Sequence, residues 1–443
     1  MYFLSLNYLP QNARMTQSLL FIFYLILFIY IIKKLRFFQE TLTFSFLVFV
    51  LVLKIIGGAI VAYIYSHYYE NGDTFAYMHD SKVIYESLPS SPLIYLQFIS
   101  GIEIDKSSLT PYFEKLITYD RNPYNKLLID TFITLRINAF LCLFSFGYYY
   151  VQMLFMCFIS LVGTMALYKT VIKVSSCNKL LLVTSCFLIP SVVIWGSSVL
   201  KEPLMLFFLG LMILSFHKFV LKSRLIHFMK FLFFALLLAA IKPYILLAML
   251  PGLTAWWIHS IRRKSLPFII LSCYIVTYLF LVFISKTNNP YNLFQFLNDQ
   301  QIIAYKNAIY CHSHSILELI PFAPNPFSII KHIPDGIILS LTRPYYNENH
   351  SILWQLCAIE NIGLLFFILL LIIHLDMQKI NQQPLALLFI VAGLVILTTV
   401  AFTNPVLGTL VRLKMPGILL LCLGLASLTK SRNQKWKNNT LNN

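Results

Sequence analysis

Charged residues are scarce in this chain, and acidic residues are the scarcest. Only 12% of the 443 residues are charged, and 17 Asp and Glu stand against 34 Lys and Arg. A soluble domain carries about 25% charge. This chain is instead 58% hydrophobic and 16% aromatic, with a mean hydropathy of +0.75. The composition therefore excludes a soluble enzyme, a disordered chain and a fibrous protein.

Recognisable cofactor and metal motifs are also missing. The eight cysteines lie mostly in or beside apolar runs, with no CxxC pair and no Cys/His metal spacing, so no disulfide framework is indicated. The sequence contains no P-loop, GxGxxG, HExxH or GxSxG pattern. We therefore predict no metal-ligand residue and no certain cofactor, and a divalent metal ion on a substrate phosphate stays open as an alternative.

Many apolar runs have the length of a membrane-crossing helix, about 16–25 residues. We count eleven, with ten to thirteen allowed by the marginal runs, and predict an all-α polytopic membrane helix bundle in one integral-membrane domain, residues 1–443. A shorter apolar stretch near 137–147 is expected to be a re-entrant or interfacial piece that ends at Gly147. The predicted spans are 17–32, 42–66, 149–168, 180–195, 200–216, a tight pair around Lys242-Pro243-Tyr244, 265–284, 351–373, 384–403 and 415–429.

The cations lie between the apolar runs. Eighteen of the 34 Lys and Arg fall in six short clusters, and short cation-rich loops stay on the cytoplasmic side of a membrane. This placement predicts a multi-pass membrane protein with its N-terminus outside and a cytoplasmic tail over 430–443. The clusters suit anionic membrane lipids, so nucleic acid is not an expected partner. They are Lys33/Lys34/Arg36, Lys169/Lys173/Lys179, Lys218/Lys222/Arg224/Lys230, Arg262/Arg263/Lys264, Lys379 and Lys430/Arg432/Lys435/Lys437.

Two longer polar segments fall on the predicted outer face. Segment 67–135 holds nine of the 17 acidic residues, and segment 285–350 holds four more together with six prolines. Amphipathic pieces such as Phe75–Leu88 are expected to form short helices along the membrane surface. Binding and catalytic residues lie disproportionately on loops. Because the long loops and most carboxylates fall on the predicted outer face, we expect the site there.

An acidic motif follows the second predicted span. Glu70 and Asp73 flank Gly72, which permits a tight turn. A carboxylate at this boundary can act as general base on an acceptor hydroxyl, or bind a divalent ion on a phosphate. We therefore take Asp73 and Glu70 as the candidate catalytic residues. The alternative is a solvated turn whose aspartate caps the next helix.

Lys201 and Glu202 begin the fifth predicted span. Ionisable groups at membrane depth cost roughly 2.5–3.5 kcal/mol each, so they usually face a cavity or a partner. Helix N-terminal amides together with Lys201 form an anion site. The alternative is an interfacial pair of Lys201 with some carboxylate.

Further ionisable residues recur at the predicted outer boundary or within a span. Each of these residues alone is more often an interfacial anchor than a ligand. Together, the cations indicate a surface that binds phosphate, next to a surface of acidic residues. Lys54, near the middle of its predicted span, is expected to snorkel or to pair with Glu360. The candidate substrate-binding residues are Arg136, Lys201, Glu202, Lys242, Arg343, Glu360 and Arg412.

An outward-facing site excludes ATP and nucleotide sugars as direct substrates, because both are cytoplasmic. Polyprenyl-linked sugars remain as activated donors. Transfer from them to a glycan acceptor needs cations at the leaving phosphate and a carboxylate near the acceptor hydroxyl. The inventory of residues fits those needs.

The layout resembles the GT-C integral-membrane glycosyltransferases, in which an acidic motif such as Glu70…Asp73 opens the first large outer loop. Gly408-Thr409…Arg412…Pro416 is similar to late motifs of O-antigen-polymerase (Wzy-type) proteins. The resemblance implies that Asp73 is the catalytic base and that cations hold the donor phosphate, namely Arg136, Lys201, Lys242 and Arg412. The acidic loop here follows the second helix rather than the first, and no Asp-Asp or Asp-x-Asp pair is present.

The sequence thus predicts a glycosyltransferase of cell-surface polysaccharide or glycoconjugate biosynthesis. A Wzy-type polysaccharide polymerase uses the same donor chemistry on a longer acceptor and is the nearest alternative. A lipid-linked glycan flippase or transporter is the alternative from another class. Transporters tend to have internal repeats, broken helices and polar residues at mid-membrane.

Overall fold

The structure is a computed structural model that describes residues 11–68, 72–101, 111–120, 129–262, 265–286, 292–310, 313, 315–317, 320–348 and 351–430. Over these ranges the regular elements are helices, and β-structure is limited to isolated bridges between Ile316 and Val406 and between Leu375 and Thr429. The prediction of an all-α chain is confirmed.

The helices vary from four to 26 residues in length. The first twelve in chain order are α1 (Gln11–Lys34), α2 (Arg36–Gln39), α3 (Phe44–His67), α4 (Asp73–Ser90), α5 (Pro92–Ser100), α6 (Ile117–Asp120), α7 (Ile129–Ser145), α8 (Tyr149–Val174), α9 (Lys179–Val183), α10 (Pro190–Trp195), α11 (Lys201–Lys222) and α12 (Leu225–Ile241). The remaining eight are α13 (Pro243–Arg262), α14 (Leu266–Lys286), α15 (Leu293–Tyr310), α16 (Pro326–Thr342), α17 (Ile352–Ile373), α18 (Pro384–Thr403), α19 (Leu407–Leu413) and α20 (Met415–Ser427).

Nine spans in the described part of the chain are long and apolar enough to cross a membrane: α1 from Asn12, α3, α8, α11, α13, α14 to Ser285, α17, α18, and α19 with α20. Two shorter apolar helices, Lys179–Leu188 and Leu225–Ile241, cover the other two predicted spans. The chain thus has the helices of a polytopic membrane protein, while the total of eleven crossings stays a prediction.

The chain divides into two compact units that alternate along the sequence. The first unit comprises Met1–Ala166, Val193–Ile213 and Met229–Lys242. The second comprises Leu167–Val192, Leu214–Phe228 and Pro243–Asn443. The expectation of a single integral-membrane domain over 1–443 stays a prediction.

The predicted span 180–195 is not one continuous helix. After α9 the chain forms a π-helical turn, Thr184–Leu188, and Ile189 then adopts an extended conformation before α10 begins at Pro190. A residue before proline is driven out of the helical region by the proline ring, so Pro190 explains the break.

Both predicted outer loops contain helices. The predicted helix at Phe75–Leu88 is confirmed within α4, and its Tyr77 and Ile84 are buried in an apolar cluster of the first unit with Leu135 of α7. The segment 285–350 contains α15 and α16. The expectation that these two segments carry short helices is therefore confirmed.

The apolar stretch near 137–147 belongs to a longer helix than expected. α7 begins at Ile129, inside the predicted first loop, and ends at Ser145. Its end is set by Phe146 and Gly147, which both have positive φ, 52° and 72°. Gly147 adopts this left-handed conformation without steric cost, so the predicted break at this glycine is confirmed.

Two glycines let α8 and α11 approach each other closely within the first unit. A Cβ added to Gly210 would collide with the backbone carbonyl of Gly163, and a Cβ added to Gly163 would collide with that of Leu206. Small residues at such crossings replace the hydrophobic driving force that membrane helices lack. The position of the start of α11, which carries Lys201 and Glu202, depends on this crossing.

Gly210→Ala should lower the free energy of unfolding by about 1–3 kcal/mol, because the new methyl group must push apart two backbones. Gly363→Ala is the matched control, since its Cβ meets nothing within 4 Å, and alanine there should leave the protein equally or slightly more stable, by up to about 1 kcal/mol. Thermal unfolding of the purified protein in detergent measures both. Equal stabilities of the two variants would contradict the close crossing.

Candidate functional site

The predicted site residues are divided between the two units. Glu70 lies outside the described residues. The first unit holds Asp73, Arg136, Lys201, Glu202 and Lys242, and the second holds Arg343, Glu360 and Arg412. The cations that the sequence suggested as one phosphate-binding surface therefore belong to two separate groups.

Lys201 forms an ion pair inside the first unit. Its Nζ lies 2.5 Å from Oδ2 of Asp130 and donates a second hydrogen bond, 2.9 Å long, to Oγ1 of Thr131. The same ammonium lies 5.7 Å from the centroid of the Tyr77 ring, within cation–π range. Because the Lys201 side chain is 10% exposed and Asp130 31%, the charge is neutralised by protein.

Glu202 and Lys242 form a second pair directly beside the first in sequence. Oε1 of Glu202 lies 3.7 Å from Nζ of Lys242, and both side chains are buried. Pro243 excludes Lys242 from a helix, so Lys242 stands in the break between α12 and α13. We name Asp130, Lys201, Glu202 and Lys242 the ion-pair cluster.

The Asp73 helix begins against the segment that leads into α11. Asp73 is the first residue of α4, after Gly72. The hydroxyls of Thr74, Ser198 and Tyr149 form a closed, buried triangle, with O···O distances of 2.7 Å for Thr74–Ser198, 2.9 Å for Thr74–Tyr149 and 3.1 Å for Ser198–Tyr149. Tyr77, one turn further along α4, lies beneath Lys201. Its contact with Lys201 and the contact of Thr74 with Ser198 fix the start of α4 against residues 198–201. The acidic motif and the Lys201 motif thus come together.

Arg136 lies on α7, six residues after Asp130, or about 9 Å along the helix axis. Its guanidinium packs against Gly101, where a Cβ would meet it. Burial lowers the pKa of Arg136 from its ordinary value. Arginine stays protonated in proteins, so Arg136 brings a cation to this unit.

The charges of these residues balance. Both lysines of the ion-pair cluster already face a carboxylate, Asp130 for Lys201 and Glu202 for Lys242. Each ammonium group therefore already has a counter-charge within the unit. The six side chains carry three positive and three negative charges: Arg136, Lys201 and Lys242 against Asp73, Asp130 and Glu202.

In the second unit, the predicted residues have local partners. Arg343 Nη1 lies 2.5 Å from Glu348 Oε1, and the guanidinium lies 5.0 Å from the centroid of the Tyr345 ring. Glu360 accepts a 2.6 Å hydrogen bond from the backbone N–H of Ser191, in the first turn of α10. Arg412 lies near the end of α19.

Two lysines that the sequence did not suggest as site residues are also buried. Lys54 Nζ donates a 2.8 Å hydrogen bond to Ser160 Oγ within the first unit. Lys379, expected in a cytoplasmic cluster, donates to the backbone carbonyls of Ser176 and Thr429 at 2.8 and 3.0 Å in the second unit. Lys379 therefore holds chain segments together rather than facing lipid head groups.

Asp130 is the main site residue that the sequence did not single out. A buried Lys201 requires an acceptor, but the first polar segment offered nine acidic residues with no pattern to choose among them. The described residues contain no group of three or more His, Cys, Asp or Glu side chains that could hold a metal ion.

Comparison with protein-family models, with curated proteins and with solved structures found no match to this chain. The resemblance to GT-C and Wzy-type proteins accordingly stays a hypothesis that rests on short motifs, and the geometry of the two units is the basis for proposing a function.

Asp130→Asn should lower the free energy of unfolding by about 1–3 kcal/mol, because it leaves the buried Lys201 ammonium without its counter-charge. Adding Lys201→Met should recover part of the loss, so that a double-mutant cycle gives a coupling of about 1 kcal/mol or more. The exposed Lys82–Glu86 pair of α4, at 3.6 Å, is the control and should couple by less than about 0.5 kcal/mol. Equal coupling in the two pairs would contradict the buried pair described here.

Proposed function

We propose that this chain is an integral-membrane glycosyltransferase that uses a polyprenyl-phosphate-linked sugar donor at the outer face of a bacterial inner membrane, in the synthesis of a cell-surface glycan. The observation that carries the proposal is the meeting of two helix starts in the first unit. The start of α4, with Asp73, packs against the start of α11, with Lys201 and Glu202. A carboxylate and paired cations are what this chemistry requires.

In the proposed reaction, the acceptor hydroxyl oxygen bonds to the anomeric carbon of the sugar as the bond from that carbon to the donor phosphate breaks. The hydroxyl proton passes to Asp73, and the bond electrons leave with the polyprenyl phosphate. Lys201 and Lys242 stabilise the negative charge that grows on this leaving group. Arg136 is the third cation of the proposed site.

The ion-pair cluster gives the donor phosphate a specific way to bind. Asp130 and Glu202 hold the two lysines inside the protein while the site is empty of substrate, which avoids unpaired buried charge. The incoming phosphate then exchanges with these carboxylates as the lysines' partner. Such an exchange favours an anion over a neutral sugar, because only an anion can replace a carboxylate as the partner of an ammonium group.

The proposed orientation can be tested by itself. With the cationic clusters inside, an enzyme reporter that is active only outside the membrane should be active when fused after Gly101 and inactive when fused after Ser223, because Lys218, Lys222 and Arg224 flank that position. A reporter active only in the cytoplasm should give the opposite pattern. The same side for both fusions would contradict the orientation.

A Wzy-type polymerase remains a variant of the proposal, because it uses the same donor and differs only in its acceptor. A flippase or transporter is favoured by a different observation, the broken helix at Ile189 with Glu360 bonded to the backbone of Ser191. Interrupted helices beside buried ionisable residues are typical of transporters. This feature belongs to the second unit, whereas Asp73 and the ion-pair cluster belong to the first.

Asp73→Asn should abolish glycan synthesis while the protein remains inserted and folded, because asparagine keeps the shape of the side chain and cannot accept the proton. Glu86→Gln, on the exposed end of the same helix, is the matched control and should leave synthesis unchanged. Each variant is expressed in a strain lacking the chain. Surface-glycan ladders are compared on gels, and lipid-linked oligosaccharides by mass spectrometry.

The products distinguish the alternatives. A glycan short by one sugar supports the transferase, and accumulation of a single repeat unit on its lipid with loss of the ladder indicates a polymerase. Full activity of Asp73→Asn would remove Asp73 from the mechanism. An unchanged glycan and lipid profile in the strain lacking the chain would rule out both enzymes and leave transport.

A further inference from the structure

Glu360 lies well inside a candidate membrane span. It is the ninth residue of α17, about 12 Å along the helix axis from Ile352, and α17 is long and apolar enough to cross a membrane. An ionisable side chain at such a position usually pairs with an opposite charge or takes part in the movement of an ion or a proton. The charge of this carboxylate therefore needs a physical account.

Glu360 forms no ion pair with any described residue. The buried Lys414 acts on it as an opposite charge. The Lys414 ammonium, however, donates its hydrogen bonds to Arg343 O at 2.9 Å and to Asn361 Oδ1 at 2.8 Å. Cys357, one turn earlier on α17, is a further titratable group that Glu360 influences. The carboxylate is therefore not neutralised by a direct ionic contact within the described chain.

The Glu360 carboxylate contacts Ser191 instead, just beyond the break in the chain at Ile189. Its Oε1 accepts a 2.6 Å hydrogen bond from the backbone N–H of Ser191. The Ser191 hydroxyl lies beside the same carboxylate. This hydroxyl is buried and forms no hydrogen bond of normal geometry with a described residue, which is uncommon for a buried polar group. Ser191 thus presents two polar groups to one carboxylate, and one of them lacks a partner.

Glu360 also borders an open face of α17. Leu356 and Gly363 lie one turn before and one turn after it, on the same side of the helix. Leu356 is 57% exposed, and a Cβ added to Gly363 would meet no described atom within 4 Å. Glu360 itself is partly exposed. In a membrane span such a face adjoins lipid or a cavity, where an ionised carboxylate without a cation is costly.

We propose that Glu360 is a proton-binding site, in which the protonated carboxyl group accepts the Ser191 N–H at its carbonyl oxygen and donates its O–H to Ser191 Oγ. The proton removes the charge that no direct ion pair neutralises, and it supplies the donor that the buried hydroxyl lacks. Because this contact joins α17 to the break at Ile189, gain or loss of the proton changes how the two are held together. The proposal is independent of the proposed function, since Glu360 and Ser191 belong to the second unit.

The test labels the full-length protein in detergent with N,N′-dicyclohexylcarbodiimide, an apolar reagent that reacts with carboxylic acids. The acid adds across one C=N bond, its oxygen to carbon and its proton to nitrogen. The acyl group then shifts to nitrogen and leaves a stable N-acylurea, which peptide mass spectrometry locates. Glu360 should be labelled at neutral pH, and less as the pH rises. Glu86, on the exposed side of α4, is the reference carboxylate and should be labelled at least about tenfold less at neutral pH, because it is ionised in water.

Variants of Ser191 test where the proton is held. Ser191→Ala should lower the midpoint pH of Glu360 labelling by about 0.5 or more, because the carboxyl O–H loses its acceptor. Ser191→Thr keeps the hydroxyl, so it is the matched control and should keep the wild-type midpoint. Absence of label on Glu360 at every pH, equal labelling of Glu86 at neutral pH, or a midpoint for Ser191→Ala that is unchanged or higher would overturn the proposal. The wild-type measurement requires no variant to fold.

Discussion

A lysine ammonium inside an apolar chain must find oxygen ligands within the protein, and much of this structure follows from that constraint. Leaving one unpaired at membrane depth costs roughly 2.5–3.5 kcal/mol on insertion scales, a large share of the stability of a typical protein, about 5–15 kcal/mol. Each such lysine therefore joins segments that are distant in sequence. Lys201 connects α11 to α7 through Asp130, Lys379 connects residues 176 and 429, and Lys414 connects the end of α16 to Asn361.

These hydrogen bonds and ion pairs connect helices whose apolar surfaces alone distinguish poorly between one packing arrangement and another. Leucine and phenylalanine side chains pack about as well against lipid as against a neighbouring helix, so apolar faces specify partners weakly. A buried ammonium with two or three acceptors at fixed distances specifies one arrangement. The contact of Gly163 with Gly210 also specifies how two helices pack, because it permits a close crossing of α8 and α11 at this position.

The sequence was informative about helices and poor at naming partners. Apolar run length predicted the long helices. For Lys201 the sequence predicted an anion site, with pairing to a carboxylate of the protein as the alternative, and the structure contains that pairing. That this carboxylate is Asp130 depends on α7 beginning at Ile129, within a segment whose acidic content suggested loop. The hydrogen bonds from Asn361 to residues 342 and 344 depend on where the turn after α16 lies along α17. No local sequence pattern encodes that position. Helix periodicity is local information, whereas these pairings are tertiary.

The balance of charge in the proposed site narrows what that site can bind. Its three cations are opposed by three carboxylates and so have no net charge with which to attract a phosphate from a distance, and the proposed recognition depends on short-range exchange of partners. Lys201 and Lys242 are adjacent to their carboxylates but are held by different helices, α7 and α11. In the proposed reaction, the leaving polyprenyl phosphate gains a second negative charge as its bond to the sugar breaks, and a phosphate monoester has enough oxygens to accept hydrogen bonds from two ammonium groups. The proposed function therefore assigns stabilisation of the leaving group to Lys201 and Lys242, and proton transfer to Asp73.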